Sequence, residues 1–150
     1  MLKKRLAKQF GFDSVFLESV DFVFIKSVLT SMQVHHSMCW LRAVCNAWIT
    51  AARFPATGAL DCLFGCSEGD ALRHYVVCPA LWRSVFRATA FVVPSLLCDR
   101  LCLRNCSPES VVNPCVASHT FHSLRGRRAR PLPEHVLVLT AKASFTRFKL

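Results

Sequence analysis

The stretch CLFGCSEGDALRHYVVCP, residues 62–79, spaces three cysteines and one histidine as C-x3-C-x7-H-x3-C. Tetrahedral zinc takes four sulfur or nitrogen ligands, usually delivered as two short-range pairs that a turn brings together. Cys62 and Cys66 make the first pair, and Gly65 between them permits a backbone turn that points both sulfurs inward. Asp70 is positioned to cap a helix over ALRHYVVC, residues 71–78. On that helix i,i+4 spacing sets His74 and Cys78 on one face. Two pairs, one turn and one helix predict a closed Cys3His site with no carboxylate and no open position, hence one structural Zn2+ rather than a catalytic one. The competing reading is a set of buried thiols beside a core histidine. The pairing, the glycine and the capped turn weigh against it. Zinc would convert three thiols to thiolates around one dication, a net change of one negative charge, and Arg73 and Arg83 lie close in sequence to offset it.

Outward from this stretch the chain reads as helices. Upstream, Val34, Met38, Leu41, Cys45, Trp48, Ile49 and Ala52 fall on one stripe, with Arg42, Asn46, Thr50 and Arg53 opposite. Pro55 and Gly58 end that pattern. Downstream, PALWRSVFRATAFVV (79–93) predicts a second amphipathic helix, with Pro79 in its first turn and Trp82, Val85, Phe86 and Thr89 on the buried stripe. A third helical piece is expected in SLLCDRLCLRNC (95–106). The segment 107–130 reads as helical in its latter half, with Ser107 or Ser110 as the cap and Pro114 awkwardly inside. Residues 1–30 open basic and continue apolar and β-branched, as helix or strand. RGRRARPLPEH (125–135) reads as a basic linker, and VLVLTAKASFTRFKL (136–150) as a strand or a loosely held end. The expected architecture is mainly α: a small helical domain over 31–124 with one CCHC zinc knuckle between two amphipathic helices. An uncertain N-terminal segment (1–30) and a basic linker and tail (125–150) flank it as poorly ordered termini.

Bulk properties narrow the function classes. At 150 residues and 53% apolar content, the chain suits one domain with an ample core. Its longest apolar stretch, residues 15–32, is interrupted by Glu18, Asp21 and Lys26, which argues against a membrane span. The basic start MLKKRLAKQF leads into no uninterrupted apolar segment, so no secretory signal is expected. Nine cysteines, an odd number, suit thiols or metal ligands in a reducing compartment, nuclear or cytoplasmic. The net charge of +10 favours polyanionic partners, with nucleic acid first and an anionic membrane surface second.

The candidate nucleic-acid contacts follow from that charge. Arg42, Arg53, Arg73, Arg83 and Arg87, with Tyr75 and Trp82 near them in sequence, suit phosphate contacts plus base stacking. Trp82 itself reads as buried against the knuckle. Arg125, Arg127 and Arg128 of the RGRRAR run add further phosphate contacts. A second metal set, Cys102, Cys106, His119 and His122, is conceivable, but helix spacing alone also places such cysteines on a buried face. Nothing marks a cysteine as an activated nucleophile, and no glycine-rich phosphate loop exists among five glycines, so neither catalysis nor a small-molecule substrate is expected.

The segment NAWITAARFPATGALDCLFGCSEGDALRHYVVCPALW, residues 46–82, resembles the cysteine–histidine element near the C-terminus of non-LTR (LINE-type) retrotransposon reverse transcriptases. The forms CLFGC, HY and CP-x-LW are those of protist, notably dinoflagellate, elements. The resemblance covers about residues 35–90 and extends weakly through VASHTFHSLRG (116–126). It implies that Cys62, Cys66, His74 and Cys78 take the ligand positions and that the region binds the element's RNA or target DNA. The chain carries neither the paired aspartates of a polymerase palm nor an endonuclease carboxylate cluster. The resemblance therefore implies a detached C-terminal piece without the enzyme. Two other readings stand beside it: a zinc-stabilised protein-interaction module docking onto a polymerase region, and a decayed element fragment with no selected activity.

Overall fold

A computed structural model of the chain describes residues 1–45, 50, 60–126 and 131–148. Arg53, Arg127 and Arg128 lie outside the described residues, as do Asn46, Trp48, Ile49 and Ala52 of the upstream stripe. Among the described residues the fold is mainly α, with nine helices and no strand. These are α1 (Leu2–Phe10), α2 (Ser14–Ser19), α3 (Phe22–Ser31), α4 (Val34–Val44), α5 (Leu72–Tyr75), α6 (Pro79–Thr89), α7 (Leu97–Arg100), α8 (Pro108–Leu124) and α9 (Glu134–Arg147).

The N-terminal thirty residues are helical, and two of their acids, Asp13 and Asp21, serve as the caps of α2 and α3. Asp13 accepts the Phe16 N–H at 2.7 Å and Asp21 accepts the Phe24 N–H at 2.8 Å, each satisfying an orphan donor of a helix start. Gly11 closes α1 in the left-handed region, at φ 75°.

Helix α8 is the axis of the domain, packing against α4, α6, α7 and α9. It is buried on every side, from Val111 and Val112 through Cys115 and Val116 to Phe121 and Leu124. A helix enclosed in this way shows little amphipathic pattern, which is why only its latter half looks helical in the sequence. Ser107 is its cap: the Ser107 side chain accepts the Ser110 N–H at 3.1 Å while the Ser110 hydroxyl accepts the Ser107 N–H at 2.7 Å. Pro114 lies within α8 and deprives the Ser110 carbonyl of its intrahelical donor. Next to it, buried Asn113 donates to the Val92 carbonyl at 3.2 Å, tying the loop after α6 to the axis.

Of the segment 136–150, read from sequence as a strand or loose end, residues 136–147 belong to α9 instead. Leu137, Ala141 and Ser144 are its buried positions, and it packs against both α6 and α8. The last carbonyls of α9 are taken by α4: His35 Nε2 pairs with the Arg147 carbonyl and His36 Nε2 with the Phe148 carbonyl, each at 3.1 Å.

The buried face of α4 also differs from the expected stripe. His36, Trp40, Ala43 and Val44 face inward, whereas Val34, Met38 and Leu41 are exposed, and Thr50 of the expected polar side is buried. Polar atoms decide this orientation. Trp40 Nε1 donates to the Leu101 carbonyl at 2.9 Å and His36 Nε2 reaches the Phe148 carbonyl, so each ring finds a polar partner inside. On α6 the expected stripe holds for Trp82, Val85 and Thr89, while Phe86 is half exposed. The 95–106 piece is helical only over α7, after which Cys102 turns at φ 57°.

Candidate metal centre

The first ligand pair sits on a small closed loop. Asp70 N–H donates to the Leu60 carbonyl and Cys62 N–H to the Glu68 carbonyl, both at 2.8 Å, around an antiparallel bridge between Asp61 and Gly69. Inside the loop Gly65 N–H bonds the Cys62 carbonyl at 3.1 Å, and Gly65 adopts φ 82°. A Cβ at Gly65 would lie 2.8 Å from Pro131 Cβ, so glycine is required here for space as well as for φ.

The second pair is built differently from the expected capped helix. Helix α5 is a single turn, Leu72–Tyr75, and its N-cap is Ala71 with no side-chain hydrogen bond. Asp70 is buried instead, and its carboxylate pairs with the Tyr75 hydroxyl. His74 lies on α5, the backbone turns at Val76 and Val77, and Cys78 is the N-cap of α6. Its side chain makes no cap hydrogen bond, but the sulfur sits at the free end of a helix, where the Leu81 N–H favours negative charge.

One ligand atom from each of Cys62, Cys66, His74 and Cys78 lies within 4.8 Å of all the others. Zinc–sulfur bonds of about 2.3 Å in a tetrahedron set sulfurs about 3.8 Å apart. The Cys62–Cys78 separation is 3.8 Å and the Cys66–Cys78 separation 3.3 Å. His74 Nε2 is shut off from solvent without a hydrogen-bond partner, a nitrogen that a metal ion would satisfy. The Cys62 sulfur accepts the Phe64 N–H at 3.4 Å. The Cys62 thiol is held down at about 5, first by its hydrogen bond with Cys78 and then by the Phe64 and Cys66 N–H groups and His74, against burial. Cys78 is pushed the other way, by that same contact and by burial, so the pair shares one proton. One thiolate shared across such a sulfur pair offers a donor that suits a soft or borderline cation. The cluster could hold one metal ion, and all four of its donors are the expected ones.

No protein-family model, curated protein or solved structure matches the chain.

Arg100 is a cation beside the cluster that lies outside the expected pair Arg73 and Arg83, and Arg73 lines a surface cleft with Cys66 and His74. The Arg100 guanidinium donates to the Pro94 carbonyl at 2.6 Å and to the Val76 carbonyl, in the turn between His74 and Cys78, at 3.3 Å. It also stacks over the Trp82 ring at 5.1 Å. Burial lowers the Arg100 pKa and the charge of Cys78 opposes that fall. Arg73 also approaches the end of α1, its Nη2 within 3.9 Å of the Cβ position of Gly11. Arg83 is exposed on α6. No spacing rule points to Arg100, because Val76 lies 24 residues away in sequence.

Tyr75 is fully buried, its ring 4.6 Å from Phe121 and 5.6 Å from Phe64, so it offers no face to a nucleic-acid base. Trp82 is buried against the knuckle as expected, donating Nε1 to the Tyr75 carbonyl at 3.1 Å. Arg42 is exposed on α4, Arg125 is half-buried at the end of α8, and Arg87 pairs with Glu134 at 2.6 Å on the surface. The conceivable second metal set is not assembled. Among the described residues only the Cys62 cluster gathers ligands, and Cys102 and Cys106 are buried thiols pushed up to about 12 and about 11 by burial. All nine cysteines are free, and among the described residues no helix is long and apolar enough to cross a membrane.

Proposed function

We propose that the chain is a zinc-stapled helical module that binds RNA or single-stranded DNA without catalysing a reaction. In this reading it is a detached C-terminal piece of a non-LTR retrotransposon reverse transcriptase. The observation that carries the reading is the gathered Cys3His donor set on a chain of net charge +10. Three sulfurs and one imidazole fill a tetrahedron, which leaves a zinc ion no open position for substrate or water. Its role is then to hold α5 and α6 in place, and the positively charged surface does the binding through phosphate contacts and counterion release. A reducing compartment, nuclear or cytoplasmic, keeps the sulfurs available for metal.

Elemental analysis and salt-titrated binding on one preparation test this. About one zinc per chain is expected, with affinity for single-stranded RNA or DNA falling steeply between low and physiological salt. Freshly reduced protein without metal, or affinity that stays flat with salt, overturns it.

A second reading has its own observation. Exposed Val34, Met38 and Leu41 border an apolar groove of about 490 Å³ between α3 and α4, where a polymerase region could dock. A stoichiometric complex with a polymerase fragment in the absence of nucleic acid would favour that reading.

A further inference from the structure

Helices α4, α8 and α9 enclose a groove of about 1140 Å³ on the chain. Arg42 from α4, Arg125 from the end of α8 and Arg147 from the end of α9 line it, together with His35, His119 and His122. Among the described residues no carboxylate lines this groove. Elsewhere arginines find acids, as Arg87 finds Glu134 and Arg104 finds Asp99.

The histidines have adapted to this cationic company. Arg147 Nη1 donates to His119 Nε2 at 2.8 Å, which requires a neutral ring, and His119 Nδ1 then donates to the Ser144 hydroxyl at 2.9 Å. Burial, and then Arg147, push His119 below its ordinary value. Burial pushes His122 down to about 4, helped by Arg125, Arg42 and His119. The positive charge of the groove therefore rests on its arginines.

Those arginines lie at helix C-termini, where a cation suits the dipole. That placement leaves a donor unused. The last carbonyls of α9 are already occupied by His35 and His36, and Arg125 Nη1 is shut away from solvent without a hydrogen-bond partner. The guanidiniums of Arg125 and Arg42 line the groove with no acid opposite them among the described residues, and an anion with several oxygens would supply acceptors to their groove-facing nitrogens. Val34, Met38 and Phe148 line the remaining wall and present apolar surface to whatever carries that anion.

We propose that this groove is a phosphate seat, with Arg125 and Arg42 as the charged donors and the carrier of the phosphate resting on the apolar wall. The inference builds on the nucleic-acid reading, which supplies the phosphate from a strand. The same donors would hold free phosphate.

Titrations of the metal-loaded full chain with three probes test the seat, read from the ring signals of His119 and His122. The probes are inorganic phosphate, a 5′-phosphorylated oligothymidylate and its 5′-hydroxyl twin. Inorganic phosphate should shift the ring signals saturably. R42Q, at an exposed position that leaves the fold intact, and R125Q should each weaken phosphate binding about tenfold. Exposed R83Q, outside the groove, should not. Phosphate that leaves the signals unmoved, or binds R42Q and R125Q as tightly as the unmodified chain, overturns the seat. Salt-sensitive oligonucleotide binding would in that case leave the nucleic-acid reading standing alone. If phosphate saturates the groove while neither oligonucleotide displaces it, the seat stands as a free-phosphate site and the strand reading loses its place there.

Discussion

The Tyr75 hydroxyl accepts the Leu63 N–H at 3.1 Å, and through this bond the loop carrying Cys62 and Cys66 is fixed to the turn carrying His74. The same hydroxyl pairs with buried Asp70, and burial together with that carboxylate raises Tyr75 well above its ordinary range. The phenol is therefore a permanent joint between the two ligand pairs.

Tyr75→Phe should keep the ring contacts with Phe64 and Phe121 and remove only the joint. A buried N–H and a buried carboxylate would lose their partner, at a cost of about 1–3 kcal/mol. Denaturant unfolding of the metal-loaded chain should show that loss, and a competing chelator should remove the metal more readily.

Gly65→Ala should be worse tolerated than Gly69→Ala. At Gly65 the left-handed backbone costs about 1–2 kcal/mol for a residue with a Cβ, before the overlap with Pro131 is counted. At Gly69 nothing lies within 4 Å and φ is ordinary, so the added methyl meets open space. Thermal unfolding and metal affinity of the two variants check the contrast. Equal behaviour would contradict the close approach of Pro131.

The four donors that the fold gathers were legible in the sequence, because metal geometry demands paired donors at short spacing and the chain displays them. Gly65 was legible for the same reason: only glycine turns easily between two such sulfurs. The scaffold around them was less so. Asp70 has the chemistry of a helix cap, yet Tyr75, inside the core, offers it a partner that local spacing does not reveal. The inward face of α4 was misread because His36 and Trp40 bury polar atoms against carbonyls far along the chain. Periodicity counts apolar residues and is blind to such partners. Helix α9 looked like a strand because Val136, Val138 and Thr140 are β-branched, and packing against α6 and α8 overrides that preference.

Arg100→Lys should destabilise the chain although the charge is kept. A lysine cannot reproduce the fork that reaches both Pro94 and Val76 while keeping its cation over the Trp82 ring. A loss of about 1–3 kcal/mol is expected, read by denaturant unfolding. The turn between His74 and Cys78 should loosen with it, seen as faster metal exchange. Arg83→Lys, exposed on α6, provides the silent comparison.

Cys78→Ser separates the two duties of that position. Serine is a good N-cap, so α6 keeps its start, but a hydroxyl is a poor zinc ligand. The variant should retain helical circular dichroism in α6 and lose its metal, with a fall in stability on the order of several kcal/mol. Chelation of the unmodified chain should bring it to the same midpoint, since both treatments remove one staple. A variant that keeps one metal per chain would show that the fourth donor lies elsewhere.

His122 sets the acid limb of stability in the groove. Its folded value of about 4 lies below its ordinary 6.5, so between these values the unfolded chain binds the extra proton and the folded chain resists it. Stability should therefore be full above about pH 6.5 and fall as the pH drops toward 4. The positive charges that face this ring are Arg42 on α4 and Arg125 at the end of α8, while His119 on α8, Arg147 on α9 and His35 on α4 line the same groove. Acid also protonates the sulfur ligands, so the useful quantity is a difference. His122→Gln leaves the ligands unchanged, and the stability of the unmodified chain relative to this variant should decline with falling pH only within that window. A difference that stays constant from pH 7 to pH 4 would show that the His122 ring protonates as easily in the fold as outside it.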